Sequence, residues 1–442
     1  MSPVDELNRT ILLCRDFAGD ELSDQQICGR FCELRVLCVS DAANLSSHSG
    51  QTALVTLVCL LSRMGMQVGL NIPDVPLLRR QPPLQGTHLR RALIASSNTL
   101  LTCASVGAHS RFNPDLVFIL GDTPVESSRL PSWRLWGGDW FGRLSQEGFA
   151  KAGIWTGEWP IGAMVSAAEA ASEAFKAVVR GIPFRHDGAE LYFRPVLSCG
   201  WDFGTVAVPE GALRVGQVDL ISAGAICQAA LFVLTRIPRL EMWGSIFDDD
   251  FTAPSNLNRN MLTTAADSGP KVDVVARCCE PNFRLEPVRE RFLPDSAQCR
   301  KLAPRALVGV DDIPSRWEAQ RSSGGWLAVS GTSHFSVSSS SHSPGEPCCG
   351  CLHSVDDPGG AGPIPTVSFV SFWAGLAMAV RLLREAFGQP YPSHQQHLWI
   401  TPLRLDERHA AMWSRVAPQC ECPVRCLASR STQKAAHSSV AA

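Results

Sequence analysis

The chain has 442 residues and a mass of 47.9 kDa; 45% of its residues are apolar, 19% are charged, and its formal net charge is −2. At roughly 150 residues per domain this length allows two or three domains, and the composition excludes a chain that is disordered throughout. Because basic residues do not outnumber acidic ones, no broad positive field is available for a phosphate backbone, and we expect no nucleic-acid partner.

Short apolar runs alternate with helical patterns along the first half of the chain. The predicted strands are Leu34–Ser40, Gln67–Ile72 and Leu116–Leu120, and the predicted helices are Thr52–Met66 and Gly162–Val179. In the second of these helices the spacing places Glu169, Glu173 and Lys176 on the outer face. This alternation is typical of a parallel sheet that is covered by helices on both faces.

The same alternation restarts near residue 216. The predicted strands are Val218–Ser222, Met242–Asp248 and Leu307–Asp311, the predicted helices are Ala225–Arg236, Ser315–Arg321 and Phe369–Phe387, and a Ser/Gly-rich segment over 322–351 has a strand-like core at Trp326–Ser330. We therefore predict an α/β fold of two Rossmann-like three-layer halves, 1–215 and 216–428, followed by a disordered tail over 429–442.

Two residues of the second half stand where open α/β sheets bind ligands. Gly224 lies in the turn after the first strand, where a glycine lets the backbone approach a phosphate in front of a helix N-terminus. Asp248 directly follows the next strand, about 20 residues on, and could accept hydrogen bonds from a ribose of ATP or NAD. A plain turn and an aspartate cap are the structural alternatives.

Further polar residues follow in chain order. In Ser255-Asn-Leu-Asn-Arg259 a helix would place Asn256 and Arg259 on one face, an amide and a guanidinium suited to a triphosphate. Lys271 comes next, and Asp311 ends another strand, where its carboxylate could hold Mg²⁺. The alternatives are a solvated polar helix for the first segment and a helix N-cap for the second.

Taken together, Asp248-x-Asp250, Ser255-Asn-Leu-Asn-Arg259, Lys271 and Asp311-Asp-x-x-x-Arg316 resemble the adenylation domain of ThiF/MoeB-type enzymes, which activate ubiquitin-like and sulfur-carrier proteins. The likeness covers roughly 216–321. It implies that Asp248 holds the ATP ribose, with Asp250 as a further nucleotide-binding residue, that Asn256, Arg259 and Lys271 hold the phosphates, and that Asp311 binds Mg²⁺. Ser222 and Cys227 stand where the family has glycines, and Asp312 stands where it has asparagine.

The first half carries a fainter likeness to the same family. Asn8-Arg-Thr-Ile-Leu12 resembles its opening segment, whose arginine reaches the nucleotide of a partner subunit. The turn Ser40-Asp-Ala-Ala-Asn44 lacks the glycine loop, and no D-x-D…N-x-x-R set follows it. The resemblance implies an inactive half joined to an active one, either as a monomeric pseudo-dimer or in a homodimer, with Arg9 serving the active half or lying exposed on the surface.

Seventeen cysteines without an export signal point away from disulfides, and we expect a cytoplasmic protein. No apolar run reaches the about 18–20 residues of a membrane span, so no membrane partner is expected. Cys348, Cys351, Cys422 and Cys426 form two short pairs that suit a structural zinc site, with Cys349, Cys420 and His353 as further donors and unligated buried thiols as the alternative. Cys349 is also the candidate for a thioester-forming thiolate.

The resemblance implies ATP-dependent adenylation, through Arg259, Lys271 and Asp311, of the C-terminal carboxylate of a ubiquitin-like or sulfur-carrier protein, with ATP and Mg²⁺ as cofactors and a structural Zn²⁺. A close variant would adenylate a peptide. One alternative is an NAD-dependent Rossmann oxidoreductase, which gives no role to Arg259, Lys271 or Asp311. Another is a non-catalytic scaffold that binds a ubiquitin-like partner, which the altered glycine loop favours.

Overall fold

The computed structural model describes most of the chain. The described residues are 2–19, 21–108, 113–126, 129–204, 206–280, 282–292, 301–343, 346–352, 364–392, 395–406 and 410–412. The predicted tail over 429–442 lies outside them.

The first half folds around a mixed seven-stranded sheet. Its strands are β1 (Arg35–Val39), β2 (Gln67–Asn71), β3 (Ser105–Ala108), β4 (Leu116–Leu120), β5 (Ser132–Gly137), β6 (Phe141–Gln146) and β7 (Ser198–Asp202). Their order is β3-β2-β1-β4-β5-β6-β7. The five strands from β3 to β5 are parallel, whereas β6 and β7 are antiparallel to their neighbours.

The second half repeats this layout with one more strand. Its strands are β8 (Leu213–Ile221), β9 (Leu240–Phe247), β10 (Arg284–Val288), β11 (Arg305–Val308), β12 (Trp326–Ser333), β13 (Ser336–His342), β14 (His397–Ile400) and β15 (Ala410–Met412). Their order is β10-β9-β8-β11-β12-β13-β14-β15, parallel up to β12 and antiparallel beyond it. The expected two-half Rossmann-like α/β fold is therefore present.

Twelve α-helices connect and cover the strands among the described residues. They are α1 (Pro3–Glu6), α2 (Asn8–Arg15), α3 (Asp24–Glu33), α4 (His48–Arg63), α5 (Leu89–Ser97), α6 (Ile161–Val179), α7 (Ala189–Tyr192), α8 (Ala225–Leu234), α9 (Lys271–Cys279), α10 (Ile313–Ser322), α11 (Cys349–Leu352) and α12 (Ser368–Ala386). Within this described part, no helix has the length and apolar content that a membrane crossing needs.

The helices between the two sheets join the halves into one core. Helix α6 packs on β5, β6 and β7, helix α12 packs on β12 and β13, and the two helices touch each other. Helix α12 also crosses α8 closely at Gly375, where an added Cβ would lie 2.4 Å from the Ala229 Cβ. One continuous cluster of buried apolar residues therefore runs through both halves.

Two expectations about the elements are wrong. Both sheets are mixed rather than parallel, because short connections such as the one between β12 and β13 can only return a strand antiparallel to its neighbour. Strand β8 also begins at Leu213, so the predicted boundary at residue 216 falls inside a strand. The bulge between Arg214 and Gly216 interrupts its pairing with β9 and hides this part of the strand from a simple apolar pattern.

The predicted outer face of α6 is wrong as well. Glu169, Glu173 and Lys176 are each 1% exposed, because α6 is enclosed by other elements of the core. Lys176 Nζ donates to Glu173 Oε1 at 2.6 Å, which pairs two of the charges. The Glu169 carboxyl finds no N–H or O–H donor among the described residues. Burial raises its pKa well above the ordinary value, with the Cys199 thiol and Arg143 opposing the shift.

Glu169→Gln is expected to stabilise the protein at neutral pH. A carboxyl with a raised folded-state pKa binds more protons folded than unfolded, so wild-type stability falls as pH rises above the unfolded-state value of about 4.3. Glutamine does not ionise, so the variant should have a free energy of unfolding that is higher than that of the wild type by on the order of 1 kcal/mol, the equivalent of one pKa unit. Urea unfolding between pH 4.5 and 8 measures it. Glu173→Gln is the control and should destabilise the protein, because it leaves the buried Lys176 ammonium without its carboxylate partner. Equal stability of Glu169→Gln and wild type at every pH would contradict the prediction.

Candidate active site

A cleft of about 390 Å³ opens at the carboxyl ends of β8, β9 and β11. All eight residues that the sequence proposes for a nucleotide line it: Arg9, Gly224, Asp248, Asp250, Asn256, Arg259, Lys271 and Asp311. Six of them lie between residues 224 and 271, and the fold adds Arg9 from the start of the chain and Asp311 from the end of β11. The carboxyl edge of an open α/β sheet is where such folds bind their ligands.

The turn between β8 and α8 forms the floor of the cleft. Ser222 has a φ of 90°, and its Oγ accepts the Gly224 N–H at 2.9 Å. Asp248, at the end of β9, accepts the Ala223 N–H at 2.7 Å and the Ser222 hydroxyl at 3.3 Å through Oδ2. Helix α8 begins directly behind, at Ala225, so its N-terminal dipole favours an anion in the cleft.

Replacing Ser222 tests the strain in this turn. A side chain at positive φ costs about 1–2 kcal/mol relative to glycine. Ser222→Gly should therefore be about 1 kcal/mol more stable than Ser222→Ala, because both variants lose the hydroxyl and only alanine keeps the strained Cβ. Chemical unfolding of the two variants measures the difference, and equal stability would show that the turn relaxes without cost.

Lys271 is anchored at the start of α9. Its Nζ donates to Asp250 Oδ2 at 2.5 Å, and its backbone N–H donates to the Asp250 carbonyl at 2.9 Å. The Asp250 N–H in turn donates to Asp248 Oδ1 at 2.8 Å. The lysine and the two aspartates are thus held as one unit beside the turn, with the ammonium directed to the cleft wall.

Asn256 and Arg259 lie in a tight turn rather than in the helix that the spacing predicts. The structure has only a 3₁₀ turn at Pro254–Asn256, and the Arg259 N–H donates to the Asn256 carbonyl at 3.1 Å. The Arg259 guanidinium donates through Nη1 to the Ser255 carbonyl at 2.6 Å and to Asn258 Oδ1 at 2.9 Å. The turn still places the amide and the guanidinium on the same cleft.

Arg9, Arg259 and Asp311 form a charged group across the cleft. Burial lowers the pKa of Arg259 to about 10; the nearby Arg9 also lowers it, and Asp311 opposes the shift. Burial likewise lowers the pKa of Arg9, with Asp311 opposing. Both guanidiniums remain charged at neutral pH, and Arg9 Nη1 donates to the Ile364 carbonyl at 3.1 Å. The first half therefore contributes a cation to the cleft of the second half.

The helix-cap alternative applies to Asp312, not to Asp311. Asp312 Oδ1 accepts the Ser315 N–H at 2.8 Å and caps α10. Asp311 lines the cleft as an exposed carboxylate. An exposed oxygen ligand in this place suits Mg²⁺ better than a buried one would, because that ion keeps several waters.

Several cleft residues carry no signal that sequence reasoning could use. They are Asn260, Phe292, Thr332, Thr366 and Ser371. Each comes from a different element or loop and belongs to no spaced motif. Phe292 lies against Phe247 with ring centroids 5.6 Å apart and gives the cleft an apolar side.

The corresponding edge of the first half is filled by protein. Asn44 Nδ2 donates to Asp41 Oδ1 at 3.1 Å and to Asp122 Oδ1 at 3.1 Å, and Asn44 Oδ1 accepts the Trp155 N–H at 3.1 Å. Asn44 is 0% exposed, and a Cβ on Gly121 would lie 2.0 Å from its Oδ1. A nucleotide cannot enter at this edge without displacing the asparagine.

Two of the four proposed zinc ligands lie side by side. The Sγ atoms of Cys348 and Cys351 are 3.7 Å apart, whereas Cys422 and Cys426 lie outside the described residues, as do Cys420 and His353. Cys349 is 0% exposed, and burial raises the pKa of its thiol to about 12. That shift is opposite to the one an attacking thiolate requires.

Zinc binding remains a prediction that metal analysis can check. Purified protein should hold about one zinc per chain, and Cys348→Ser with Cys351→Ser should remove it, because a four-thiolate site cannot close on the remaining pair. Cys103→Ser, at a half-buried thiol elsewhere, should keep the zinc. Zinc-free wild-type protein purified without chelators would contradict the prediction.

Comparison with known proteins gives a domain match and structural likenesses. Residues 33–189 match the family described as the BilD N-terminal domain. No curated protein matches in sequence. A crystal structure of E. coli MccB is 16% identical with a TM-score of 0.39, covering 48% of this chain and 65% of MccB. A structure of MccB in complex with N-formylated MccA is 16% identical with a TM-score of 0.38, and the match covers 47% of this chain and 67% of MccB. A structure of PaaA is 17% identical with a TM-score of 0.34, and the match covers 44% of this chain and 62% of PaaA.

Proposed function

We propose that this protein is an ATP-dependent adenylyltransferase that activates the C-terminal carboxylate of a small protein or peptide. The observation that carries the proposal is the cleft itself, where every residue expected for a nucleotide and its phosphates converges. Composition alone does not produce such a convergence. Four cations, Arg9, Arg259, Lys271 and Arg291, line the cleft together with five aspartates, and helix α8 begins at its floor.

The reaction follows from the charges around the cleft. A carboxylate oxygen of the acceptor would attack the α-phosphorus of ATP, the bond to the pyrophosphate oxygen would break, and an acyl-adenylate and pyrophosphate would form. Negative charge spreads over the phosphate oxygens in such a transfer, so fixed cations stabilise it. Arg259 and Lys271 would hold the phosphates, and Arg9 would add a third cation from the first half.

Asp311 has the donor chemistry for a magnesium ion. Carboxylate oxygens are the ligands that Mg²⁺ prefers, together with phosphate oxygens of the substrate. When bound, the ion would offset charge on the phosphates. The charge of Asp311 also opposes the lowering of the pKa of Arg9 and of Arg259, so it favours the charged form of both guanidiniums.

The acceptor is proposed as a ubiquitin-like or sulfur-carrier protein, or a peptide with a free carboxyl end. E. coli MccB has been crystallised with ATP, and a separate structure holds MccB in complex with N-formylated MccA. The buried Cys349 speaks against a thioester at that residue. Release of the acyl-adenylate is therefore the proposed end of the reaction at this cleft.

A pyrophosphate-release assay tests the proposal. Protein, Mg·ATP and a set of peptides and small carrier proteins with free C-termini should yield pyrophosphate and a carboxyl-linked AMP adduct in intact-mass spectra. The same acceptors with amidated C-termini are the matched control and should yield neither. Equal pyrophosphate from free and amidated acceptors, or ADP and phosphate as the only products, would overturn the proposed reaction.

A further inference from the structure

The chain segment that carries Asn256 and Arg259 needs support from outside itself. Between the end of β9 and the start of α9 its only helical turn is Pro254–Asn256, and the residues that follow form successive turns. The segment holds the Arg259 guanidinium through its own Ser255 carbonyl and Asn258 Oδ1, but without a regular hydrogen-bond ladder it does not fix its own place in the fold. Its position depends on the groups that hold its backbone.

One arginine of the first half holds this backbone at two points. Arg63, the last residue of α4, donates through Nη1 to the Leu257 carbonyl at 2.5 Å and through Nη2 to the Thr263 carbonyl at 2.9 Å. The two carbonyls bracket the stretch that contains Arg259. Arg63 is 0% exposed, and burial lowers its pKa to about 10, so it stays charged at neutral pH.

We propose that Arg63 is a positioning residue that fixes the phosphate-binding turn from the first half, acting on the nucleotide only through the 257–263 backbone. This inference rests on the proposed function. It gives the first half a role beyond Arg9, although its own sheet edge is closed by Asn44.

The chemistry of the guanidinium explains why an arginine stands here. Its planar fork presents two N–H groups at fixed separation, whereas a lysine offers one mobile ammonium. A buried charge that no carboxylate contacts costs free energy, which the two charge-assisted hydrogen bonds to carbonyls offset. Arg63 forms no ion pair among the described residues, so its role is to hold backbone rather than to neutralise an acid.

A second side chain ties the same segment to the nucleotide turn. Gln228 of α8 accepts the Leu262 N–H at 3.1 Å and the Thr263 hydroxyl at 3.0 Å, and its Nε2 donates to the Ala223 carbonyl at 2.9 Å. Arg63 and Gln228 thus meet at Thr263. Through Gln228, the backbone that carries Arg259 is therefore linked by hydrogen bonds to the turn beside Asp248.

The chain offers a matched control in Arg236. This arginine is 1% exposed, donates to the Phe232 carbonyl at 2.8 Å and to the Pro82 carbonyl at 2.7 Å, and has its pKa lowered by burial to about 9. Like Arg63 it reaches the other half, at Pro82, but neither of its acceptor carbonyls lies in the 257–263 segment that carries Arg259. Arg63→Lys disturbs two hydrogen bonds between the halves, and Arg236→Lys disturbs one between the halves and one to α8.

The test compares binding of Mg·ATP and of AMP by calorimetry. Arg63→Lys should weaken ATP binding about tenfold while changing AMP binding less than twofold, because Arg259 and its turn face the phosphates that AMP lacks. Arg236→Lys should leave both affinities within twofold. In an Arg259→Ala background, Arg63→Lys should weaken ATP binding less than twofold further, since the group it positions is gone. Arg63→Gln serves as the second variant if the lysine does not fold.

The outcomes separate the inference from the function it rests on. Three results would overturn the positioning role even if the wild type binds Mg·ATP as the proposed function requires. The first is an equal loss of affinity for ATP and AMP in Arg63→Lys, and the second is an equal loss of ATP affinity in Arg63→Lys and Arg236→Lys. The third is a loss of ATP affinity in Arg63→Lys that adds fully to the loss in Arg259→Ala. Wild-type protein that binds no Mg·ATP would overturn the proposed function, and the inference would fall with it.

Discussion

Arg259→Ala is expected to lower kcat/KM for adenylation about 100-fold and to weaken binding of Mg·ATP. The guanidinium is half-buried, carries its charge at neutral pH and lies beside Arg9 and Asp311 in the cleft. Hydrogen bonds between charged groups contribute about 1.5–3 kcal/mol, and a donor to a developing negative charge in a protected site contributes at the upper end of that range. Calorimetry with Mg·ATP and pyrophosphate release measure the two effects.

The control for this variant is a nearby arginine that faces solvent. Arg277 of α9 pairs with Asp267 at 2.9 Å and has a side chain that is 63% exposed. Arg277→Ala should leave ATP binding within twofold, because an exposed pair contributes little and the residue does not line the cleft. Arg259→Ala with wild-type affinity and rate would remove Arg259 from the site.

Asp311→Asn is expected to reduce adenylation about 100-fold or more while ATP remains bound. The amide keeps the size of the side chain but loses the negative charge that favours a magnesium ion and the charged forms of Arg9 and Arg259. The adenylation rate of the Asp311→Asn variant should rise only weakly with added Mg²⁺. Pyrophosphate release over a range of Mg²⁺ concentrations measures this dependence.

The neighbouring aspartate separates catalysis from stability. Asp312→Ala removes the cap of α10 and should lower the free energy of unfolding by about 0.5–2 kcal/mol, with a smaller effect on the rate than Asp311→Asn has. If Asp312→Ala lowered the rate more than Asp311→Asn, the assignment of the two residues would be reversed.

The elements with strong apolar patterns were predictable. Leu116–Leu120 is a strand with the bounds that its run of five apolar residues predicts. Helix α6 differs from its predicted bounds by one residue at its start, and α12 by one residue at each end. The polar strand β13 was not predictable, because it has no apolar run. Ser336–His342 forms β13 because buried Arg381 of α12 donates to the Ser339 carbonyl and hydroxyl, at 2.9 Å and 3.1 Å, and so satisfies a polar strand.

The candidate site was predictable as a set but not in its detail. Acids at strand ends and a spaced Asn/Arg pair can be recognised in sequence, and the structure places them on one cleft. The burial of Glu169, Glu173 and Lys176 was not predictable, because helical spacing does not show how many elements surround a helix. Arg63 carries no motif at all, since its role depends on a backbone nearly 200 residues away in the chain.

Binding of Mg·ATP and of NAD⁺ to the purified protein, with Asp248→Ala as the comparison, tests the adenylyltransferase proposal most directly. The wild type should bind Mg·ATP, Asp248→Ala should bind it at least about tenfold more weakly because the carboxylate beside the turn is lost, and NAD⁺ should not bind. Binding of NAD⁺ without ATP would contradict the proposal and favour a dehydrogenase. Binding of neither nucleotide would contradict it in favour of a scaffold whose function lies on its surface.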